Sequence, residues 1–587
     1  MDRELLKAGL EPGTATKAVV GGKIVNVYSG EIYPGGVAIY RDKILAVGEI
    51  DEKIGPQTEV IEAGGNYIVP GFIEGHIHPE SSNLSVPRFA EAVVKRGTTT
   101  VFTDFHEVAI VGGLAAVDAV LDEARKTVVR FFWMVPSHVP FSPGLETSGG
   151  RFDASIIVPA LDRPEAVGLA EVVNTYVVGE HPDLMESVAG TWARRKSLCG
   201  HGPMMKGRLW DAFTSIGIQN DHEAIDLEDA IIRIRNGVHA HLRHNLIVPT
   251  LPELVRVLTE LRLDSRLVSL VTDDTNAIVL TREGHIDYLA REAMRNGVDF
   301  VTAIQMVTLN VAQSYHKELE IGGLAPGRYA DLNIITYGPN FEILKTMAGG
   351  EVVVERGNYV GPPAPEGHAP LFFNTFHVAK PELVGTDLVI HAPPDATGAR
   401  VHYMKTLAWV PVTEGVETDL PVRDGYVAAA PERDILHIAV VERHHRTGNI
   451  GKAFVGGFGI RSGAYASSMA HDNHNIVVMG SDPEDMALAV QRVIELDGGL
   501  VVAEGGRVLG EIQLNQFGLL SDLSGEEMAA RKAGLLELAR ERGCIVSELF
   551  MFMGFITLVP IPAFKITDRG YVDCLKSELK DPVLEWL

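Results

Sequence analysis

Apolar runs and helical patterns alternate along the middle of the chain, from Ile68 to about Ala325. The runs are short, are followed by amphipathic stretches, and are typical of parallel βα units. Eight strand candidates occupy residues 68–76, 98–106, 130–138, 167–174, 197–203, 215–223, 237–244 and 266–274. Helix candidates between or after them include residues 88–96, 115–126, 182–195, 227–236, 252–262 and 284–297. Eight units in about 250 residues predict a (β/α)₈ TIM-like barrel.

The two flanks of this region have a different pattern. Residues 17–65 contain β-branched runs divided by glycine turns, and a similar alternation returns at 329–360. We therefore expect a small split β-sandwich domain, formed by residues 1–67 plus 326–362, around a barrel of residues 68–325. The proline-rich stretch 361–365 is typical of a linker.

A third region follows the linker. It has strand patterns at 434–442, 474–481 and 499–512 and helical patterns at 483–496 and 526–543. We expect residues 366–587 to form an additional C-terminal α+β domain.

Six residues at the predicted strand ends have side chains that bind metals. The active site of a (β/α)₈ barrel lies at the carboxyl ends of its strands, so these side chains should meet there. They are His76, His78, Glu171, His201, His222 and Asp273. Each one alone could equally cap the next helix. All six at one face favour a centre for one or two divalent ions, of the Fe²⁺, Mn²⁺ or Zn²⁺ type.

More polar side chains lie beside these positions than loops require. Glu80 and Ser81 follow the first strand, Asp104, His106 and Glu107 follow the second, and Arg243 ends the seventh. We expect them either to support the metal ligands or to contact the substrate, with Arg243 the weakest candidate because a surface charge is the default for arginine.

The motifs of the chain resemble a known family. In order along the sequence they are PGFIEGHIHPESS, GTTTVFTDFHEVA, GLAEVVN, CGHGP, NDHE, TDD, VVERHHRTGNIGKAFVGGFG, AHDNHNIVVMGSDPEDMALA and KITDRG. Together they resemble the amidohydrolase superfamily, and within it the bacterial adenine deaminases, over nearly the whole chain. The sequence departs from that pattern at Pro79, Phe105 and His138, next to the loops expected to face the substrate, and His138 is a further candidate for substrate contact.

The resemblance implies a chemistry and a set of roles. His76 and His78 would hold one metal, His201 and His222 the other, Glu171 would bridge them, and Asp273 would ligate and carry protons. The expected reaction is the hydrolytic deamination of adenine to hypoxanthine and ammonia, with water activated by a binuclear centre of Mn²⁺ or Fe²⁺, or alternatively Zn²⁺.

Asp273 is the candidate that takes the proton from water and passes it to the leaving group. Glu107, and after it Glu80, is the candidate that protonates a ring nitrogen.

Two other functions stay open. One is a related hydrolysis, of another or an N6-substituted purine or of a cyclic amide. The other is a binding protein that has lost turnover, which predicts missing ligands, and all six are present.

Composition limits the partners. The 52 basic and 77 acidic residues give a net charge of −25, which disfavours nucleic acid and anionic membranes as partners. The resemblance implies a small purine as the partner. No apolar run reaches about 18 residues, the length expected of a membrane-spanning helix. The three cysteines form no CxxC, which fits a reducing compartment, and we expect a cytoplasmic homo-oligomer.

Four histidines of the C-terminal region lie close together in sequence, at positions 444, 445, 471 and 474. They could form a metal site, but pairs with Asp and Asn neighbours are at least as often turn networks or interfaces. We favour a lid or an oligomer contact.

Overall fold

The structure is a computed structural model that describes residues 3–245, 248–364, 367–407 and 412–587. Pro365 of the predicted linker and residue 366, the predicted start of the C-terminal domain, lie outside the described residues. Within these ranges no helix is long and apolar enough to cross a membrane.

The N-terminal flank forms a helix and five strands. They are α1 (Arg3–Leu10), β1 (Lys17–Asn26), β2 (Glu31–Tyr40), β3 (Lys43–Gly48), β4 (Glu59–Glu62) and β5 (Tyr67–Pro70).

The central region forms a barrel of parallel strands, as the pattern predicted. Its strands are β6 (Phe72–Ile77), β7 (Thr98–Thr103), β8 (Arg130–Pro136), β9 (Ala166–Val173), β10 (Ser197–His201), β11 (Asn220–Asp221), β12 (His239–Arg243) and β13 (Val268–Val271). They pair in sequence order, and the first and last strands close the ring through Asp273 N to His76 O and His78 N to Asp273 O, both 2.9 Å. All eight predicted strands are therefore confirmed. Three of the predicted ligands, His76, His78 and Asp273, lie where the first and last strands meet.

Helices cover the outside of the barrel. They are α2 (Val86–Val94), α3 (His106–Ala124), α4 (Ala154–Ala160), α5 (Asn174–Val178), α6 (Pro182–Ala193), α7 (Arg208–Ser215), α8 (Leu227–Arg235), α9 (Leu251–Leu254), α10 (Arg256–Thr259), α11 (Ala277–Arg282), α12 (Ile286–Arg295), α13 (Phe300–Met306) and α14 (Leu309–Ser314). The helix predicted over 252–262 is interrupted at Val255, whose ψ of −10° departs from the helical value near −42°. Because helices cover the outside and side chains fill the inside, the strands are buried on both faces and read as apolar runs.

The chain then returns to the first sheet. Strands β14 (Leu332–Ile335), β15 (Ile343–Ala348), β16 (Glu351–Glu355) and β17 (Asn358–Tyr359) continue it, since β14 pairs antiparallel with β5. Strands from both flanks thus share one sheet. The numerical domain boundaries given above stay a prediction.

The C-terminal region contains a second large sheet. Its elements are β18 (Gly398–Thr406), β19 (Thr413–Arg423), β20 (Tyr426–Val427), β21 (Ile435–Val441), β22 (Ile450–Gly456), β23 (Ala464–Ser467), β24 (Ile476–Gly480), α15 (Pro483–Glu495), β25 (Gly499–Glu504), β26 (Arg507–Gln513), α16 (Gly525–Glu541), α17 (Leu549–Phe555), β27 (Phe564–Thr567), β28 (Gly570–Asp573), β29 (Glu578–Lys580) and β30 (Val583–Trp586). Helix α15 packs its apolar face on this sheet. The predicted α+β character is confirmed.

The C-terminal region lies over the mouth of the barrel. Asn83, after the first barrel strand, donates from Nδ2 to Leu519 O at 3.0 Å. Thr147, in the loop after the third strand, donates from Oγ1 to Asp568 Oδ2 at 2.7 Å, and its carbonyl accepts from Asn475 Nδ2 at 2.9 Å. Residues of both regions can therefore share one site.

Candidate active site

Side chains from the barrel's strand ends converge at its mouth. His76 Nε2 lies 3.2 Å from Glu171 Oε1 and 3.3 Å from Asp273 Oδ1, and His78 Nε2 lies 3.5 Å from the same Asp273 oxygen. These side chains are nearly or fully buried. The two imidazoles of the first strand therefore face the carboxylates of the fourth and eighth.

Glu171 connects this group to a second one. Its Oε2 lies 2.6 Å from His201 Nδ1, and its Oε1 lies 3.6 Å from His222 Nε2. His222 Nε2 is also 3.2 Å from Glu223 Oε1. The structure thus brings all six sequence-predicted residues together, with the Glu171 carboxylate between two sets of imidazoles.

Irregular backbone aims two of these side chains inward. In the pairing of β9 with β10 the register shifts between Leu198 and Gly200, so that β9 carries one extra residue next to Glu171. A similar shift between β6 and β7 falls at His76. Such bulges redirect a side chain next to an active site.

Glu171 and Asp273 also have left-handed backbone conformations, with φ of 51° and 61°. Residues other than glycine adopt this region at a cost, and such residues cluster at functional sites.

Supporting side chains fix the orientation of this cluster. Asp104 Oδ1 lies 3.0 Å from His78 Nδ1, which turns His78 Nε2 towards the other carboxylates. Arg243 Nη1 donates to Asp273 Oδ2 at 2.7 Å and to Glu223 Oε1 at 2.8 Å. Arg243 is thus a largely buried partner of two carboxylates rather than a surface charge.

Charge balance in the cluster shifts the pKa values of its groups. Burial alone would lower the pKa of His76, but the adjacent carboxylates of Asp273 and Glu171 raise it to about 10. Burial opposes ionisation of Asp273, but Arg243 and His76 hold its pKa well below the usual range. The carboxylates are therefore ionised, and their negative potential attracts positive charge.

Loop residues after the first strand tie the mouth together. Ser81 lies between two loops: its Oγ is 2.7 Å from His78 O and 3.0 Å from Thr275 O, and accepts from Thr275 N at 3.1 Å. Glu80 Oε1 accepts from Val108 N at 3.3 Å, and burial together with Glu107 raises the pKa of Glu80 to about 8.

Aromatic rings line the side of the mouth next to the cluster. Phe141 stacks on His138 with ring centroids 4.7 Å apart, and its edge meets His106 at 5.3 Å. The His106 nitrogens and His138 Nε2 are buried without a hydrogen-bond partner. A flat, polar ligand would both stack on such a wall and satisfy these atoms.

The carboxylate of Glu107, a candidate proton donor, contacts two histidines of the C-terminal region. Its Oε1 lies 3.1 Å from His471 Nδ1, and its Oε2 bonds to His474 Nε2. Burial opposes ionisation of Glu107, yet His474 and His471 lower its pKa. Glu107 in turn raises the pKa of His471 to about 9. At neutral pH the proton therefore lies on His471, not on Glu107.

The four C-terminal histidines divide into two pairs. His444 Nε2 and His445 Nε2 each lie 2.8 Å from a backbone carbonyl, of Asn473 and Ser148 respectively. His471 and His474 instead contact Glu107 of the barrel.

Comparisons with known proteins agree with this architecture. The model of the amidohydrolase family matches residues 67–191 and 230–353. The model of the adenine deaminase C-terminal domain matches residues 411–578. The chain is 36% identical over 581 residues to the adenine deaminase of Moorella thermoacetica, covering 99% of this chain and 97% of the relative. Adenine deaminase 4 of Rhizobium meliloti is 36% identical, with 97% and 95% covered. The chain belongs to the adenine deaminase family.

The solved structures that match the chain are more distant. The β-aspartyl dipeptidase of Fervidobacterium islandicum is 17% identical, covers 59% of this chain and 99% of its own, and has a TM-score of 0.46. The L-hydantoinase of Arthrobacter aurescens is 14% identical, covers 59% and 98%, and also has a TM-score of 0.46.

The side chains at the mouth fit the divalent metal that the amidohydrolase family implies. His76 Nε2, Glu171 Oε1 and His201 Nδ1 are buried without a hydrogen-bond partner, although they lie close to further ligand atoms. Ligand atoms within 4.8 Å of one another occur in four overlapping groups at the mouth: His76, His78 and Asp273; His76, Glu171 and His222; His201, His222 and Glu223; and His78, Asp104 and Glu171. Imidazole and carboxylate ligands suit Zn²⁺, Fe²⁺ and Mn²⁺.

Sequence reasoning missed Glu223 as a candidate ligand. The signal was present, because Glu223 directly follows His222 in the NDHE motif at the end of a strand. Phe141 was missed as well, since nothing in a loop sequence shows which ring faces the mouth.

Proposed function

We propose that this protein is an adenine deaminase, which converts adenine and water to hypoxanthine and ammonia. Its main support is the similarity to adenine deaminases over nearly the full chain, together with the cluster of imidazoles and carboxylates at the barrel mouth.

We propose that the residues converging at the barrel mouth are the cation ligands. His76, His78 and Asp273 would hold one divalent ion, and His201, His222 and Glu223 the other, with Glu171 between them. Mn²⁺ or Fe²⁺ is the proposed pair, with Zn²⁺ as the alternative. When bound, such ions would lower the pKa of a bound water to about 7 and so supply hydroxide at neutral pH.

The chain's own residues handle the proton. Asp273 is ionised, with one oxygen held by Arg243 and the other facing the two imidazoles of the first strand. That second oxygen can take the proton released when the water oxygen attacks C6 of the purine and the electron pair of the C6=N1 double bond moves to N1. The same proton then goes to the amino nitrogen, which leaves as ammonia when the pair returns from N1 and the C6–N6 bond breaks.

The aromatic wall holds the base. Phe141 offers a face for stacking, and the unpartnered nitrogens of His106 and His138 can bond the edge of the ring. We propose that Glu107, which is ionised, accepts a hydrogen bond from a ring N–H instead of donating a proton. Glu80, Ser81 and Asp104 act by holding the loops and His78 in place.

A substrate panel tests this function. Protein loaded with Mn²⁺ is incubated with adenine, adenosine, guanine and N6-methyladenine, and the released amine is followed, which is ammonia from the first three compounds and methylamine from the last. We expect release from adenine, and loss of that release in His76→Ala with the fold retained. Release from another ring only, or opening of a cyclic amide, would replace adenine as the assigned substrate. Location in the cytoplasm and assembly into homo-oligomers stay predictions of the sequence.

A further inference from the structure

A buried contact joins the C-terminal region to the catalytic mouth. Glu107 lies in the first turn of α3, and the residue that its Oε1 meets, His471, comes 364 residues later in the chain. His474 lies on the other carboxylate oxygen. All three side chains are buried, with at most about 6% of each exposed.

The contact lies next to the metal-binding cluster. Asp104, which bonds His78, comes three residues before Glu107, just ahead of α3, and the charge of His78 helps to lower the pKa of Glu107. The backbone N–H that follows Glu107 is held by Glu80. Glu107 therefore lies beside the barrel mouth, where the substrate is proposed to bind.

Physical chemistry explains why the carboxylate needs both imidazoles. An ionised carboxylate that leaves water loses its solvation, and it is tolerated only where hydrogen bonds and opposite charge replace that solvation. His471 supplies both to Oε1, and His474 supplies a hydrogen bond to Oε2. With both oxygens held, the carboxylate cannot rotate.

We propose that His471 and His474 are positioning residues for the reaction, which hold the Glu107 carboxylate in the orientation that meets the purine ring. The C-terminal domain then completes the active site instead of serving only as a lid or an oligomer contact. This inference rests on the proposed hydrolysis at the barrel mouth, but it concerns residues outside the barrel.

The other histidine pair offers a matched control. His445 contacts the backbone carbonyl of Ser148. This contact holds a loop in place and does not involve Glu107. A loss of packing at this junction would affect His445 variants as much as His471 variants, whereas a loss of positioning would affect only the latter.

A double-mutant cycle tests the proposal. His471→Gln, His474→Gln and Glu107→Gln are made singly, and each histidine change is combined with Glu107→Gln. kcat, KM, metal content and thermal unfolding are measured on the Mn²⁺-loaded full chain. We expect each histidine change alone to lower kcat/KM about 100-fold, mainly through kcat, because the carboxylate is misplaced. Metal content should equal that of wild type.

In the Glu107→Gln background the same histidine changes should cost less than about 3-fold, because residues that act through one partner are not additive. His445→Gln should lower the unfolding temperature and leave kcat/KM within about 3-fold. These results would support positioning.

Two outcomes would overturn it. Equal losses with and without Glu107 would mean that the histidines act independently of that carboxylate. Loss of a bound Mn²⁺ equivalent in His474→Gln would make Glu107, His471 and His474 a metal site, since their ligand atoms also lie within 4.8 Å of one another.

Failure of the proposed function gives a different result. If wild type turns over another compound of the panel instead of adenine, the cycle is run on that compound and still decides the role of the histidines. Absence of turnover on the whole panel would overturn both proposals.

Discussion

The ligand His78 depends on a single carboxylate for its orientation. Asp104 accepts from its Nδ1 and is almost fully buried. Removing such a partner typically costs about 10- to 100-fold in metal affinity or activity. We expect Asp104→Asn to lower the affinity for Mn²⁺ by that factor, measured by titration of metal-free protein. Asp162→Asn, which changes a surface carboxylate bonded to Arg194, is the control and should bind as wild type does. Unchanged affinity in Asp104→Asn would refute the orienting role.

Glu223 makes a sharper test of the ligand assignment. It lies 3.2 Å from His222 and is the carboxylate that sequence reasoning missed. We expect Glu223→Gln to retain fewer Mn²⁺ ions per chain than wild type, measured by elemental analysis. Glu228→Gln, on the exposed side of α8, should retain the wild-type number. Full occupancy in Glu223→Gln would remove Glu223 from the ligand set.

At the scale of elements, the loop between β8 and α4 must pass close to both the barrel and the C-terminal domain. A Cβ on Gly149 would collide with the carbonyl oxygen of Val111 and come within 2.9 Å of His444 Nδ1. Backbone cannot give way there, so we expect Gly149→Ala to destabilise the fold by about 1–3 kcal/mol. Thermal unfolding measures this.

Gly534→Ala is the opposite case in α16. Nothing lies within 4 Å of the new Cβ, and alanine favours a helix by up to about 1 kcal/mol over glycine. We expect its unfolding temperature to stay level or to rise. A stable Gly149→Ala would show that the loop is not held as closely as described.

The elements themselves were largely predictable. Apolar runs covered on both faces identified all eight barrel strands, and their ends identified the six converging side chains. The interruption at Val255 and the bulges at His76 and Glu171 were not predictable, because they arise from pairing with neighbouring strands or packing against helices. Local sequence contains neither.

At the scale of the whole molecule, His368 links the barrel to the C-terminal region. Its Nδ1 lies 2.5 Å from Glu123 Oε1 of α3, and its Nε2 lies 2.7 Å from Asp522 Oδ2. Hydrogen bonds to Asp522 and Glu123 raise the pKa of His368 to about 9. Since the ordinary value is about 6.5, the charged imidazole stabilises the folded protein fully below pH 6.5, and this contribution is lost as the pH rises to about 9.

We therefore expect His368→Gln to lower the unfolding temperature clearly at pH 6 and much less at pH 9.5. Thermal unfolding of both proteins across that range measures it. A difference that is constant with pH, or that grows at alkaline pH, would contradict the link between the two regions through a charged His368.

The long-range arrangement was the part that sequence could not provide. Glu107 and the histidines at 471 and 474 were each noticed as candidates, but no local pattern shows that residues so far apart share a site. The C-terminal histidines could be sorted into a structural pair and a pair at the active site only from their contacts.

The reaction proposed at the barrel mouth is hydrolysis at C6 of adenine. It is tested by incubation of the Mn²⁺-loaded protein with adenine in ¹⁸O-labelled water, with the products analysed by mass spectrometry. We expect equal amounts of ammonia and hypoxanthine, with one labelled oxygen in each hypoxanthine. Unchanged adenine in the presence of folded, fully metal-loaded protein would contradict it.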